Sequence, residues 1–278
     1  MKLFTKDFTF DFTRKTYIMG ILNVTPDSFS DGGLFLDREN AVQQALRMQS
    51  EGADIIDIGG ESTRPGAEKV SVKDEIKRVV PVIKALAENI NIPISIDTYK
   101  SEVADAAVKA GASMINDISG LRFDPKMAKV AAKHKVPVVI MHIKGTPRDM
   151  QKNPTYKSLI PDITAYFHEC IQIARDAGIP DDMIILDPGI GFGKTVEHNL
   201  EIIKSLKYFE GFDKPILIGP SRKAFIGKLL GDLPTTERLE GTASAVAIAI
   251  FNGANIIRVH DVKEMVRVAK IADGVVRA

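Results

Sequence analysis

The chain of 278 residues is 45% hydrophobic and 26% charged, the balance of a protein that can fill a core, and this excludes a disordered chain. Lys and Arg total 37 against 36 Asp and Glu, so a net charge of +1 supplies no broad field for nucleic acid or an anionic membrane surface. No run reaches the ~18 apolar residues of a membrane span, the leading MKLFTKDFTFDFTRK lacks an apolar signal core, and the single cysteine, Cys170, has no disulfide partner; a cytoplasmic location is expected, with Cys170 as inert core.

Short apolar runs alternate with amphipathic stretches along the chain. Tyr17 to Leu22 is read as a strand and Glu39 to Glu51 as a helix; Asp54 to Ile58 precedes a helix over Val72 to Glu88, and Pro93 to Ile96 one over Ser101 to Lys109. Ser113 to Ile115 leads to Pro125 to Lys133, Pro137 to Met141 to Ser158 to Ala177, and Met183 to Leu186 to Glu197 to Leu206. Pro215 to Ile218 precedes Thr236 to Phe251, and Asn255 to Val259 precedes Val262 to Ile271. The strands are continuously apolar, as in a parallel sheet covered on both faces. Several helices stop at Gly before a small residue, as at Gly52-Ala53, Gly111-Ala112 and Gly253-Ala254. Eight βα units without a linker-like shift in composition predict one domain over residues 1–278, a single (β/α)8 TIM barrel, with a doubly wound open sheet as the competing arrangement.

In such a barrel the reactive groups lie at the carboxyl ends of the strands. Those ends read Asn23, Asp57, Asp97, Asn116-Asp117, His142, Asp187, Ser221-Arg222-Lys223 and Arg258-Val259-His260. A lone Asp or Asn there is commonly a helix cap or Asx turn, but eight polar ends converging on one mouth weaken that reading. Asp97, Asn116 and Asp187 offer acceptor edges for a flat heterocycle rich in N–H groups, with Lys223 facing a ring carbonyl or nitrogen. Asn23, Thr63, Arg64, Arg258 and His260 supply donors, guanidinium groups and an oxygen suited to Mg2+, appropriate to a diphosphate. The Gly-rich stretches after the first two strands, through Asp31-Gly32-Gly33 and Gly59 to Gly66, read as mobile lids. Gly189-Ile190-Gly191-Phe192-Gly193-Lys194 lacks the spacing of a nucleotide-triphosphate loop, and Phe192 is read as an aromatic wall.

Asn23-Val24-Thr25-Pro26-Asp27-Ser28-Phe29-Ser30-Asp31-Gly32 and Asp57-Ile58-Gly59-Gly60-Glu61-Ser62-Thr63-Arg64-Pro65-Gly66 resemble the two signature segments of the dihydropteroate synthase family. Ser95-Ile96-Asp97-Thr98, Ile115-Asn116-Asp117-Ile118, Met141-His142, Asp187 to Lys194, Gly219 to Lys223 and Arg258 to Val262 resemble its remaining blocks, so the likeness runs from Ile18 to Val262. The resemblance implies a folate-biosynthetic transferase that condenses a dihydropterin diphosphate with p-aminobenzoate, whose amine site is the target of sulfonamides. By that resemblance Asp97, Asn116, Asp187 and Lys223 bind the pterin, with Ile118, Met141 and Phe192 around it, and Asn23 ligates Mg2+. Thr63, Arg64, Arg258 and His260, beside Ser221, hold the diphosphate, while Asp31, Phe29 and Pro65 complete the p-aminobenzoate site; Asp31, Arg64, Asp97, Asp187 and Lys223 are the expected catalytic set. Where the family often has Ser after Ser221-Arg222-Lys223, this chain has Ala224.

The implied reaction needs no strong base, because the aromatic amine is already neutral. His260 is expected as an anion ligand rather than a general acid. A barrel that moves a methyl group from a folate to a corrinoid protein, which does not need the diphosphate set, and a pterin-binding protein without chemistry, which would bind ligand without releasing pyrophosphate, are the alternatives. The apolar stretch from Ala243 to Phe251 exceeds what one barrel face needs, and a homodimer is expected.

Overall fold

The computed structural model describes residues 1–5, 7–25, 33–64 and 66–278, with the backbone alone described over 33–37. After a hairpin of β1 (Lys2–Phe4) and β2 (Thr9–Asp11), the chain runs β3 (Tyr17–Asn23), α1 (Gly33–Glu51), β4 (Ile55–Gly59), α2 (Val72–Ala87), β5 (Ile94–Asp97), α3 (Ser101–Ala110), β6 (Met114–Asp117) and α4 (Met127–His134). It continues β7 (Val138–Met141), α5 (Leu159–Asp176), β8 (Ile184–Asp187), α6 (Val196–Lys204), β9 (Leu217–Ile218), α7 (Ala224–Leu229), α8 (Leu239–Phe251), β10 (Ile256–Val259) and α9 (Val262–Val276). Eight strands pair in parallel in the order β8-β7-β6-β5-β4-β3-β10-β9, and a parallel bridge between Leu186 and Ile216 joins the two ends into a barrel. The expected TIM barrel is therefore present.

Strand parity explains the continuous apolar runs. Ile56, Ile58, Ile96, Ile115, Ile140, Leu186 and Ile257 face the helices in one large cluster, whereas Met19, Ile55, Met114, Val139, Ile185, Leu217 and Ile256 form a second cluster inside the barrel. Both faces of each strand are buried, so neither parity can be polar except at the mouth. The amino-terminal hairpin, not foreseen from sequence, closes the opposite end: Leu3, Phe10 and Phe12 are buried, and Phe10 and Phe12 meet Tyr17 edge-on at 4.9 and 5.4 Å. Its strands are three residues each, too short to register as a periodic pattern.

The helices lie close to their expected positions, except that α9 runs on to Val276 rather than ending at Ile271, and three further differences stand out. Helix α1 starts at Gly33 rather than Glu39, α8 starts at Leu239 because residues 235–237 form a tighter turn, and the six-residue α7 was not expected. Strand β9 is reduced to two residues: Pro215 has no N–H for the ladder, and the N–H of Ile216 goes to Oδ1 of Asn255 at 2.8 Å. Gly111, after α3, takes φ +124°, and a Cβ there would lie 2.6 Å from Cβ of Ala87, so this stop needs glycine on two counts. Among the described residues no helix is long and apolar enough to cross a membrane. Cys170 is fully buried, and burial pushes its thiol up to about 12, which keeps it unreactive.

Candidate active site

The register of the barrel sets Asn23, Gly59, Asp97 and Asn116 in one row across β3, β4, β5 and β6. Gly59 opens that row: a Cβ there would come 3.7 Å from Oδ2 of Asp97 and 3.8 Å from Oδ1 of Asn23. One pleat lower on β4 stands Asp57, fully buried. Its Oδ2 accepts from Nε of Arg258 at 2.6 Å and from Nδ2 of Asn116 at 2.9 Å, while Nη2 of Arg258 donates to Oδ2 of Asp97 at 2.7 Å. The guanidinium thus lies between two carboxylates contributed by neighbouring strands, and it joins the ring-binding set to the diphosphate set. The sequence reading had placed Arg258 with the anion ligands alone and had given Asp57 no role beyond a strand end.

On the far side of the mouth, Oδ1 of Asp187 accepts from the backbone N–H of Gly189 at 2.7 Å. Gly189 has φ +71°, and a Cβ there would stand 2.0 Å from the carbonyl oxygen of His142, so the loop after β8 can fold over β7 only with glycine at that position. Nζ of Lys223 donates to the carbonyl of Ile190 at 2.6 Å and lies 4.2 Å from the centroid of the Phe192 ring, a cation over an aromatic face. Ile118 and Met141 are buried together, with Phe192 packed against them. Oγ of Ser221 accepts from the backbone N–H of His260 at 3.2 Å and lies 3.0 Å from Nδ1 of the same residue. Its hydroxyl hydrogen is then free to go to Nδ1, which leaves Nε2–H of His260 as an outward donor.

Burial controls the ionisation of these groups. It pushes Asp97 up to about 7 against the pull of Arg258, with Asp57 adding to the rise, and Asp187 up to about 6 against the Gly189 bond and Lys223. Burial also lowers Lys223 to about 8, opposed by Asp187, and lowers His260 to about 4, assisted by Arg258, Arg222 and Arg64. His260 is therefore a neutral donor near pH 7, which favours the anion-ligand reading over a cationic acid.

Strand parity also sorts the remaining strand ends. Asp117, one residue beyond Asn116, points the other way and binds its own loop, accepting from Ser119 N and Oγ at 2.8 and 2.7 Å and from Leu121 N at 2.9 Å. His142, one residue beyond Met141, meets Nζ of Lys194 at 2.9 Å and is held neutral, lowered to about 2 chiefly by burial. Both are structural, the commoner fate of a polar strand end. Glu61, Thr63 and Arg64 lie on the segment between β4 and α2. Lys100 anchors both ends of that segment, through Glu61 and the carbonyl of Val70 (2.7 Å), and also pairs with Glu75 at 2.5 Å. Thr63 is half-buried and Arg64 exposed, whereas Phe29, Asp31 and Pro65 lie outside the described residues.

Known proteins resemble the chain over nearly its whole length. A family model for pterin binding enzymes matches residues 19–260. A dihydropteroate synthase of Clostridium beijerinckii is 54% identical over 278 residues, covering 100% of both chains. The chain belongs to the dihydropteroate synthase family. A solved Yersinia pestis dihydropteroate synthase in a sulfonamide drug complex superposes with a TM-score of 0.94 at 45% identity, covering 100% of both chains. A Xanthomonas albilineans dihydropteroate synthase solved with 4-aminobenzoic acid superposes with a TM-score of 0.90 at 42% identity, covering 96% of this chain and 95% of that one.

Proposed function

We infer that the basin joins 6-hydroxymethyl-7,8-dihydropterin diphosphate to p-aminobenzoate, giving 7,8-dihydropteroate and pyrophosphate. The observation that carries this reading is the bonded set of Asp57, Arg258, Asp97 and Asn116, which puts ring acceptors and an anion-binding guanidinium within one hydrogen-bonded cluster. Asp97, Asn116, Asp187 and Lys223 meet the polar edge of the pterin, and Phe192, Ile118 and Met141 cover its faces. The C–O bond to the diphosphate breaks with its electron pair leaving on oxygen, and the ring spreads the positive charge on the CH2. In their ionised forms Asp97 and Asp187 offset that positive charge electrostatically. The amine nitrogen of p-aminobenzoate then bonds to the CH2 carbon and loses a proton, which needs no strong base.

Arg258, the Nε2–H of His260, Arg64 and Thr63 are the groups for the departing diphosphate. Mg2+ fits Asn23, whose neutral Oδ1 lies in the same row as Asp97; this ion takes few protein oxygens and fills its shell with phosphate and water. When bound, it neutralises leaving-group charge. Phe29, Asp31 and Pro65 are assigned to the p-aminobenzoate site through the family likeness, and a sulfonamide, with the same aryl amine, competes there.

A homodimer is supported by the apolar groove between α8 and α9, where Ile248, Phe251, Ile271 and Val275 are each more than half exposed. Its occupant is a second copy of the same groove, as a two-fold contact requires. Phe251→Glu is expected to halve the mass read by light scattering. A reducing, cytoplasmic location suits the single buried thiol.

Incubation with the dihydropterin diphosphate, p-aminobenzoate and Mg2+ tests the reaction. Pyrophosphate and dihydropteroate are expected to rise in equal amounts; pterin binding without pyrophosphate release would overturn the reading.

A further inference from the structure

Both hydrogen bonds that Asp57 accepts come from side chains at the barrel mouth, and both fall on one of its two oxygens. It is fully buried in the middle of β4, its Oδ2 holds both Nε of Arg258 and Nδ2 of Asn116, and its Oδ1 has no hydrogen-bond partner among the described residues. A buried charged acceptor with one bare oxygen is expensive, and a fold chosen for stability alone would favour an apolar residue there. Register and parity place it one pleat beneath Gly59, in the same inward column as the open floor of the basin.

Two consequences follow from its contacts. An amide has a donor end and an acceptor end, and a carboxylate beneath Asn116 repels the carbonyl and attracts the NH2. Asn116 is thereby fixed with Oδ1 directed away from Asp57, as an acceptor for a ring N–H. Arg258 is fixed likewise: with Nε on Asp57 and Nη2 on Asp97, Nη1 is the corner that these two bonds leave for a ligand anion.

We propose that Asp57 is a positioning residue for the reaction, which acts through Asn116 and Arg258 and sets the hydrogen-bond polarity that makes the basin accept a pterin. The proposal rests on the reading of the basin given under Proposed function. Replacing one oxygen with NH2 in Asp57→Asn keeps the volume, but it removes the charge and presents a donor that can turn the Asn116 amide over.

The decisive experiment measures, for the wild-type protein and for Asp57→Asn, the affinity for a dihydropterin alcohol that lacks the diphosphate, the KM values of both substrates, and thermal stability. The expected result is pterin affinity weakened about tenfold or more with the KM of p-aminobenzoate within about threefold of wild type. A double-mutant cycle then repeats the binding in an Asn116→Ala background, where Asp57→Asn is expected to have little further effect on the diphosphate-free ligand. Equal pterin affinity in a folded Asp57→Asn protein, or full additivity with Asn116→Ala, would overturn the proposal. If Asp57→Asn fails to fold, Asp57→Glu, which keeps the charge and shifts its position, is expected to show the same split between the two substrates, and parallel losses for both would count against it. A wild-type protein that neither binds the pterin nor releases pyrophosphate would instead refute the reading of the basin.

Discussion

The two ends of the barrel are built from the same strands and carry opposite chemistry. At the closed end, inward positions such as Met19, Ile55, Met114 and Val139 meet Leu3, Phe10 and Phe12 of the hairpin, and the fold gains stability from buried apolar area. At the open end, the same inward column carries Asp57, Asp97, Asn116, Asp187 and Arg258, groups that cost desolvation; Asp57, Asp97, Asn116 and Arg258 are held by one another, and Asp187 by the backbone N–H of Gly189. The closed end is optimised for the folded state, and the open end for a ligand that brings its own charge. Substitutions at the two ends should therefore separate stability from turnover.

The largest effect should come from Asp97→Asn, which removes a charge that faces the developing cation. A loss of about 10²- to 10³-fold in kcat/KM for the pterin substrate is expected, with little change in melting temperature; near-normal activity would contradict the role assigned to Asp97. Phe10→Ala at the closed end should do the reverse, costing about 3–5 kcal/mol in denaturant unfolding while the folded fraction keeps wild-type KM values.

A pH series sharpens the same contrast. Asp97 and Asp187 lose their charge as pH falls through about 7 and about 6, so kcat/KM should decline on the acid side over that range. Stability should move the other way. Both groups have folded-state values above the ordinary carboxylate value of 3.8, so between that value and about 7 the folded protein holds protons that the unfolded chain has released, and their contribution to stability falls as pH rises. An acid limb that is unchanged in Asp97→Asn would assign it to another group.

Lys100 offers a more moderate test, because it anchors the segment carrying Thr63 and Arg64 from the loop just after β5. Lys100→Arg keeps the charge but not the three-way geometry, and the KM of p-aminobenzoate should rise several-fold more than pterin affinity changes, as read by steady-state kinetics beside calorimetry. The smallest effect is expected for Ala224→Ser. Ala224 is exposed at the start of α7, and stability should shift by less than about 0.5 kcal/mol in thermal unfolding.

Much of this molecule could be read from the chain. The eight continuous apolar runs announced a parallel sheet covered on both faces, and the helix stops at Gly52, Gly111 and Gly253 marked the unit boundaries, because a residue with no Cβ is needed where φ turns positive. The polar strand ends were also visible. The hairpin plug was not, since three-residue strands carry no period, nor was α7, which is too short to show a helical face.

The sequence determined which chemical groups reach the barrel mouth: acceptors for a ring, guanidinium groups for an anion, and the loops that carry them. Only the tertiary structure decided which of two adjacent polar residues enters the site, Asn116 rather than Asp117, and that Asp57 and Arg258 belong together although 201 positions separate them in the chain. The reason is geometric. A strand alternates its side chains, so a shift of one residue exchanges basin for helix layer, and the pairing register that fixes this parity arises from closure of the whole barrel.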